Sequence, residues 1–61
     1  MFYLVTCENE SFLVSRQDSK LNKKDVKKAC INHRLLNKGE KCNIELCTDV
    51  WLIQRSIIYV V

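Results

Sequence analysis

The chain has 61 residues, of which 48% are hydrophobic and 28% charged, with one Gly, no Pro and a net charge of +3. This length fits one small domain, and the mixed composition is typical of a globular protein rather than a disordered chain. A domain of this size buries only about 60% of the surface of its unfolded chain. We therefore expect one compact domain, residues 1–61, without a deep substrate cleft.

Residues 1–5 are apolar from the start and lack the basic region and small-residue cleavage site of a secretory signal. No stretch reaches the roughly 20 apolar residues that a membrane span needs. The longest apolar tract, residues 50–61, is interrupted by Gln54, Arg55 and Ser56. The sequence predicts a soluble protein of the cytoplasm, with no membrane partner and with reduced thiols.

Residues 2–7 form a short run of aromatic and β-branched side chains, which predicts a buried strand. Residues 8–11 are polar, and residues 12–17 predict a second strand. The two strands and their four-residue connection predict a β-hairpin.

A helix is predicted over residues 23–37. Asn22 is a suitable N-cap, Asp25 follows three residues later, and Leu21 and Val26 have the spacing of a hydrophobic staple. Gly39 is expected to stop the helix near its C-cap.

Residues 41–47 alternate between apolar and polar side chains, which predicts a half-buried strand, and residues 50–61 predict a long final strand. The expected fold is an α+β domain of order ββαββ, with one helix packed on a four-stranded sheet. A right-handed crossover favours the strand order 2-1-4-3, which protects the uncharged residues 56–61 in the centre; a meander is the alternative.

Essentially all of the excess positive charge lies on the predicted helix and its flanks. Residues 20–41 carry eight Lys or Arg against two acidic residues. Two apolar side chains lie among these cations, an arrangement common at protein contacts. The alternatives are a solvated lysine face and apolar side chains packed under a loop. The predicted partner-binding residues are Lys23, Lys24, Lys27, Lys28, Ile31, Arg34, Leu35 and Lys38.

One helix covers only one face of a four-stranded sheet. Both faces of the predicted first and last strands are apolar, so we expect the second face to be covered by a partner protein or by a second copy in a homodimer. A β-bulge near residues 54–56, which would place the apolar side chains on one face, is the alternative.

The four cysteines, Cys7, Cys30, Cys42 and Cys47, lack the close pairs of a zinc site. The spacing of Cys30 and His33 suits one helix face, but no second pair supports a metal site or a catalytic dyad. We expect buried free thiols, with no metal and no cofactor.

Catalysis is not predicted, because the chain has one His, no Gly-rich phosphate loop and no paired-carboxylate motif. Residues encoded by AT-rich codons are abundant, which suggests a bacteriophage or another mobile element. The leading hypothesis is a small non-catalytic protein that inhibits or regulates a host protein in the host cytoplasm by direct binding. The alternative is a nucleic-acid-binding regulator that contacts phosphates through the lysine-rich helix.

Overall fold

The computed structural model describes residues 1–17 and 22–61, in which six elements follow one another in the order β-β-α-β-α-β. They are β1 (Phe2–Cys7), β2 (Ser11–Ser15), α1 (Lys23–Asn32), β3 (Cys42–Leu46), α2 (Val50–Arg55) and β4 (Ile58–Val60). The predicted α+β fold with a four-stranded sheet is confirmed, although a second helix interrupts the expected ββαββ order. No helix among the described residues has the length and apolar character needed to cross a membrane.

The strands lie in the order β3-β1-β2-β4. Strand β1 is antiparallel to both β2 and β3, whereas β4 is parallel to β2. The predicted order 2-1-4-3 is therefore wrong. The last strand lies at an edge beside β2, because β1 already has neighbours on both sides and leaves no central position for it.

Helix α1 covers the face of the sheet to which alternate side chains of β1 point. The core on this face contains Tyr3 and Val5 of β1, Val14 of β2 and Ile44 of β3, packed against Val26 and Cys30 of the helix and Leu36 beyond it. Alternate side chains of the strands and side chains one turn apart on the helix pack together in one apolar layer. The predicted helix–sheet packing is confirmed.

Asn22 is the N-cap of α1, and its side-chain oxygen accepts hydrogen bonds from the amides of Lys24 and Asp25 at 3.2 and 3.4 Å. The predicted cap is thus confirmed, while the predicted staple to Leu21 lies outside the described residues.

The predicted C-terminal end of α1 is wrong, because the helix stops at Asn32 rather than continuing to residue 37. The amides of Arg34 and Leu35 donate to the carbonyls of Ile31 and Cys30, the paired bonds of a Schellman motif. Arg34 takes the left-handed conformation that this motif requires, with φ 61°. The chain therefore turns five residues before Gly39.

Residues 50–55 form α2 and not the first half of a strand. Asp49 caps the helix, its side chain accepting a hydrogen bond from the amide of Leu52 at 3.2 Å. Strands β3 and β4 are parallel and lie at opposite edges, so their connection must cross a sheet about 14 Å wide. A six-residue helix covers about 9 Å of that path, whereas a strand there would lack a neighbour to pair with.

Helix α2 lies over the second face of the sheet, where Leu52 lines a groove together with Leu4 and Leu13. Leu13 is buried on this face, at 1% exposure. The chain thus partly covers the face that was expected to need a partner. The bulge proposed near residues 54–56 is also wrong, since Ser56 is the C-cap of α2.

Candidate functional site

Cys7 and Cys42 lie side by side at one end of the sheet. They are register partners in the antiparallel pairing of β1 and β3, and their Sγ atoms are 2.8 Å apart. The amide of Cys47 donates to the carbonyl of Phe2, and the alternation of such pairs makes Cys7 and Cys42 a non-hydrogen-bonded pair. Side chains approach most closely in pairs of that kind. The strand pairing therefore produces the contact between the two sulphurs.

Glu40 completes a cluster with the two thiols. Its Oε2 atom accepts a hydrogen bond of 3.5 Å from Cys42 Sγ. One ligand atom from each of the three residues lies within 4.8 Å of the other two. We call Cys7, Glu40 and Cys42 the thiol–carboxylate cluster.

The cluster favours a neutral Cys7 thiol beside an ionised Glu40 carboxylate. Burial raises the pKa of Cys7 from its ordinary value of 9.0 to about 12, and the neighbouring Cys42 and Glu40 add to the rise. Hydrogen bonding by Cys7 and Cys42 lowers the pKa of Glu40. At neutral pH the Glu40 carboxylate is therefore ionised and the Cys7 thiol keeps a proton that a metal cation can displace.

An open groove of about 420 Å³ adjoins the cluster, between the β1–β2 turn and the segment that leads into β3. Its lining includes Cys7 and the carboxylates of Glu8, Glu10 and Glu40, against the single ammonium group of Lys41. The local charge is therefore negative in a chain whose net charge is +3. An approaching cation is attracted to this groove.

Sequence reasoning missed this cluster because Cys7 and Cys42 are 35 residues apart. Zinc motifs are recognised by close pairs, and this pair forms only when β1 and β3 align. A prediction of antiparallel pairing between those strands would have found it.

Cys30 and His33, whose spacing alone suits one helix face, differ in their surroundings. Cys30 is fully buried in the core, whereas His33 is an exposed residue at the C-cap of α1. All four cysteines are free thiols, with Cys30 and Cys47 buried and Cys7 and Cys42 half-buried. The expectation of buried thiols therefore holds for two of the four.

The predicted partner-binding residues separate into two groups. Ile31 and Leu35 are half-buried and pack against the core, so they do not form an exposed apolar centre. The cations remain at the surface, with Lys27 half-buried and the others exposed: Lys23, Lys24, Lys28, Arg34 and Lys38. The helix thus presents a basic surface without the apolar anchor that the sequence suggested.

The exposed apolar side chains are instead concentrated in α2 and around β4. Ile57 is 80% exposed, Val60 75% and both Val50 and Trp51 64%. The guanidinium of Arg55 lies 4.2 Å from the ring centroid of Trp51, and Tyr59 packs edge-on against Phe12. We call residues 50–60 the apolar C-terminal segment.

A second groove, of about 300 Å³, lies between this segment and the second sheet face. Its lining residues include Leu4 and Leu13 of the sheet together with Leu52, Ile57 and Tyr59. An opening of this kind accepts an apolar side chain rather than a charged one.

Comparisons of the chain with protein-family models, with curated proteins and with solved structures found no match. The functional inferences below therefore rest on the residues and their geometry.

Proposed function

We propose that this chain is a small non-catalytic protein that acts by binding another protein through its apolar C-terminal segment. The observation that carries the proposal is the exposure of Val50, Trp51, Ile57 and Val60 within eleven consecutive residues. Single exposed apolar residues are ordinary, whereas such a concentration commonly marks a contact surface. Trp and Tyr are also the side chains that most often dominate binding energy at interfaces.

The position of β4 supports the same surface. It is a three-residue edge strand, and the side chains of Ile57, just before it, and Val60, its last residue, are exposed. An uncharged sheet edge offers unpaired backbone groups to a strand of another chain. A partner can thus combine backbone pairing along β4 with an apolar side chain in the adjoining groove.

The wider proposal retains the biological setting that the sequence suggested. In it, the chain comes from a phage or another mobile element and inhibits or regulates a host protein in the host cytoplasm. This part is supported only by the codon-linked composition of the chain.

The test is an affinity pull-down from lysate, with and without nuclease, using three forms of the protein. The wild type and a Lys24→Ser/Lys28→Ser control should recover the same dominant partner, and Ile57→Ser/Val60→Ser should lose it. All four positions are exposed, so circular dichroism should show that each form is folded. No partner above background, or equal recovery by the apolar double variant, would contradict the proposal.

A homodimer is a variant of this proposal, and β4 with Ile57 and Val60 is the surface we assign to it. Sedimentation at several protein concentrations measures this directly. We expect a concentration-dependent dimer that Ile57→Ser/Val60→Ser abolishes, and a monomer at every concentration would eliminate it.

A nucleic-acid-binding role for the basic surface is the second candidate, favoured by the exposure of Lys23, Lys24 and Lys28 on one ten-residue helix. Lysines contact phosphates with little base specificity. About five phosphate contacts predict a log–log slope of affinity against salt near −4 to −5. Absence of DNA or RNA binding at low salt would remove this candidate.

A further inference from the structure

We infer that the thiol–carboxylate cluster of Cys7, Glu40 and Cys42 is a zinc site. The inference is independent of protein binding by the apolar C-terminal segment, because the cluster belongs to β1, β3 and the segment before β3. It rests on the identity of three donor groups and on their separations.

The donor set matches zinc. Two thiolates and one carboxylate are common zinc ligands, whereas magnesium and calcium select oxygen donors. A carboxylate beside two sulphurs also favours zinc over Cu(I), which selects purely soft ligands. Three ligands from the chain leave a fourth tetrahedral position for water.

The separations need one adjustment. Zinc–sulphur and zinc–oxygen bonds of about 2.3 and 2.0 Å place a sulphur and an oxygen about 3.5 Å apart in a tetrahedral site. The Cys42 Sγ to Glu40 Oε2 distance is 3.5 Å. The two sulphurs are 2.8 Å apart and must separate to about 3.8 Å, so zinc binding requires the two half-buried side chains to rotate.

The surroundings suit a divalent cation. Glu8 and Glu10 add negative charge at the rim of the adjoining groove, which gives the metal access from solvent. Gly39, with φ 86°, lets the chain turn just before Glu40 and so direct this segment toward Cys42 at the start of β3.

A disulfide between Cys7 and Cys42 is the competing use of the same sulphurs. It explains the proximity of the two residues but gives no part to Glu40, whose Oε2 atom lies 3.5 Å from Cys42 Sγ. A zinc ion instead draws on all three groups, since its charge stabilises both thiolates and the carboxylate.

The experiment uses reduced, chelator-treated full-length protein, titrated with zinc by calorimetry and with cobalt by absorption spectroscopy. We expect one metal per chain and a cobalt spectrum with sulphur-to-metal charge transfer. Repeating the zinc titration in buffers of different ionisation enthalpy should show release of protons on binding, because cysteine ligates zinc as the thiolate.

Variants identify the ligands. Cys7→Ser and Cys42→Ser should each weaken zinc binding by more than about 100-fold, beyond the 10–100-fold typical of residues that only support a ligand. Glu40→Gln should weaken it less, and Cys47→Ala is the matched cysteine control that keeps wild-type affinity. Circular dichroism checks the fold of each variant, and the wild-type cobalt spectrum does not depend on any of them.

Four outcomes would overturn the inference. The first two are no saturable zinc binding by the reduced wild type and binding that survives both cysteine substitutions. The others are a cobalt spectrum without sulphur charge transfer and zinc shared between two chains.

Discussion

Residues 2–15 and residues 50–61 are both rich in large apolar side chains, yet folding buries those of the first region and leaves many of the second exposed. Tyr3, Val5 and Val14 are completely buried, whereas Ile57 is largely exposed. The difference follows from position in the sheet. Strands β1 and β2 are central, while β4 pairs on one side only and α2 is a short crossing segment.

This contrast separates two uses of apolar sequence. In the hairpin, alternate side chains pack against α1 on one face of the sheet. On the other face Leu13 is buried and lines the same groove as Leu52 of α2. In the C-terminal segment, similar side chains face solvent and remain available for contact. Hydrophobicity alone therefore does not tell the core from a binding surface.

The sharpest test of the contrast is the truncation of one large aliphatic side chain to Ala in each region. Leu13→Ala should lower the free energy of unfolding by about 2–5 kcal/mol, because it removes a buried side chain and leaves a cavity. Ile57→Ala should change it by less than about 0.5 kcal/mol, since that side chain is exposed. Urea denaturation measures both, and equal losses would contradict the contrast.

The total stability expected for 61 residues is only about 3–9 kcal/mol, so Leu13→Ala can unfold the chain outright. Ile44→Val, at another buried position, gives a measurable fallback with an expected loss of about 0.5–1.5 kcal/mol.

The next largest effect is a loss of stability at alkaline pH. The pKa of Cys7 is raised to about 12 in the folded chain from an ordinary value of 9.0, so the folded state holds this proton more tightly than the unfolded state. Its contribution is complete below pH 9.0 and is lost as pH rises toward 12. Urea midpoints of chelator-treated protein should fall over that range, and Cys7→Ser should flatten the decline. An equal decline in the variant would rule out Cys7 as its source.

Removing the N-cap side chain of each helix compares how much α1 and α2 contribute to the stability of the fold. Asn22→Ala should cost about 1 kcal/mol of global stability, because α1 packs on the main core. Asp49→Ala should mainly increase hydrogen exchange at the amide of Leu52 and have a smaller global effect, because α2 is short and contains no buried residue. A larger global loss from Asp49→Ala would show that α2 is an integral part of the core.

The smallest effect is a gain. Arg34 is held at φ 61°, where a side chain is disfavoured, so Arg34→Gly should raise stability by about 0.5–1 kcal/mol. Arg34→Ala is the matched control, because it removes the charge and keeps the strain. A thermal melt that shows the same increase for both would attribute the gain to charge instead.

Local chemistry explains which elements could be predicted. The hairpin, the Asn22 cap and the alternation of β3 follow from side-chain period and capping preference, which depend on neighbouring residues. The C-terminal end of α1 could not be predicted from the sequence. Arg34 ends the helix by adopting the left-handed backbone conformation, which is expected of glycine rather than arginine. The strand predicted for residues 50–55 was also wrong. Val, Trp and Ile favour strands, but the chain must cross the sheet here and forms a helix.

The candidate sites divide in the same way. Lysines on an amphipathic helix were predicted to be exposed and most of them are, because helical period alone places them. The thiol–carboxylate cluster and the groove beneath α2 join residues far apart in the chain. No local pattern contains them.

By itself the sequence determined one small α+β domain, its first hairpin, the start of its helix and the location of its positive charge, since each depends on composition or short-range spacing. The tertiary structure alone decided the edge position of β4, the crossing of α2 over the second face and the meeting of Cys7 with Cys42. Those features depend on which strands pair, and strand pairing is settled by the packing of the whole chain rather than by any segment of it.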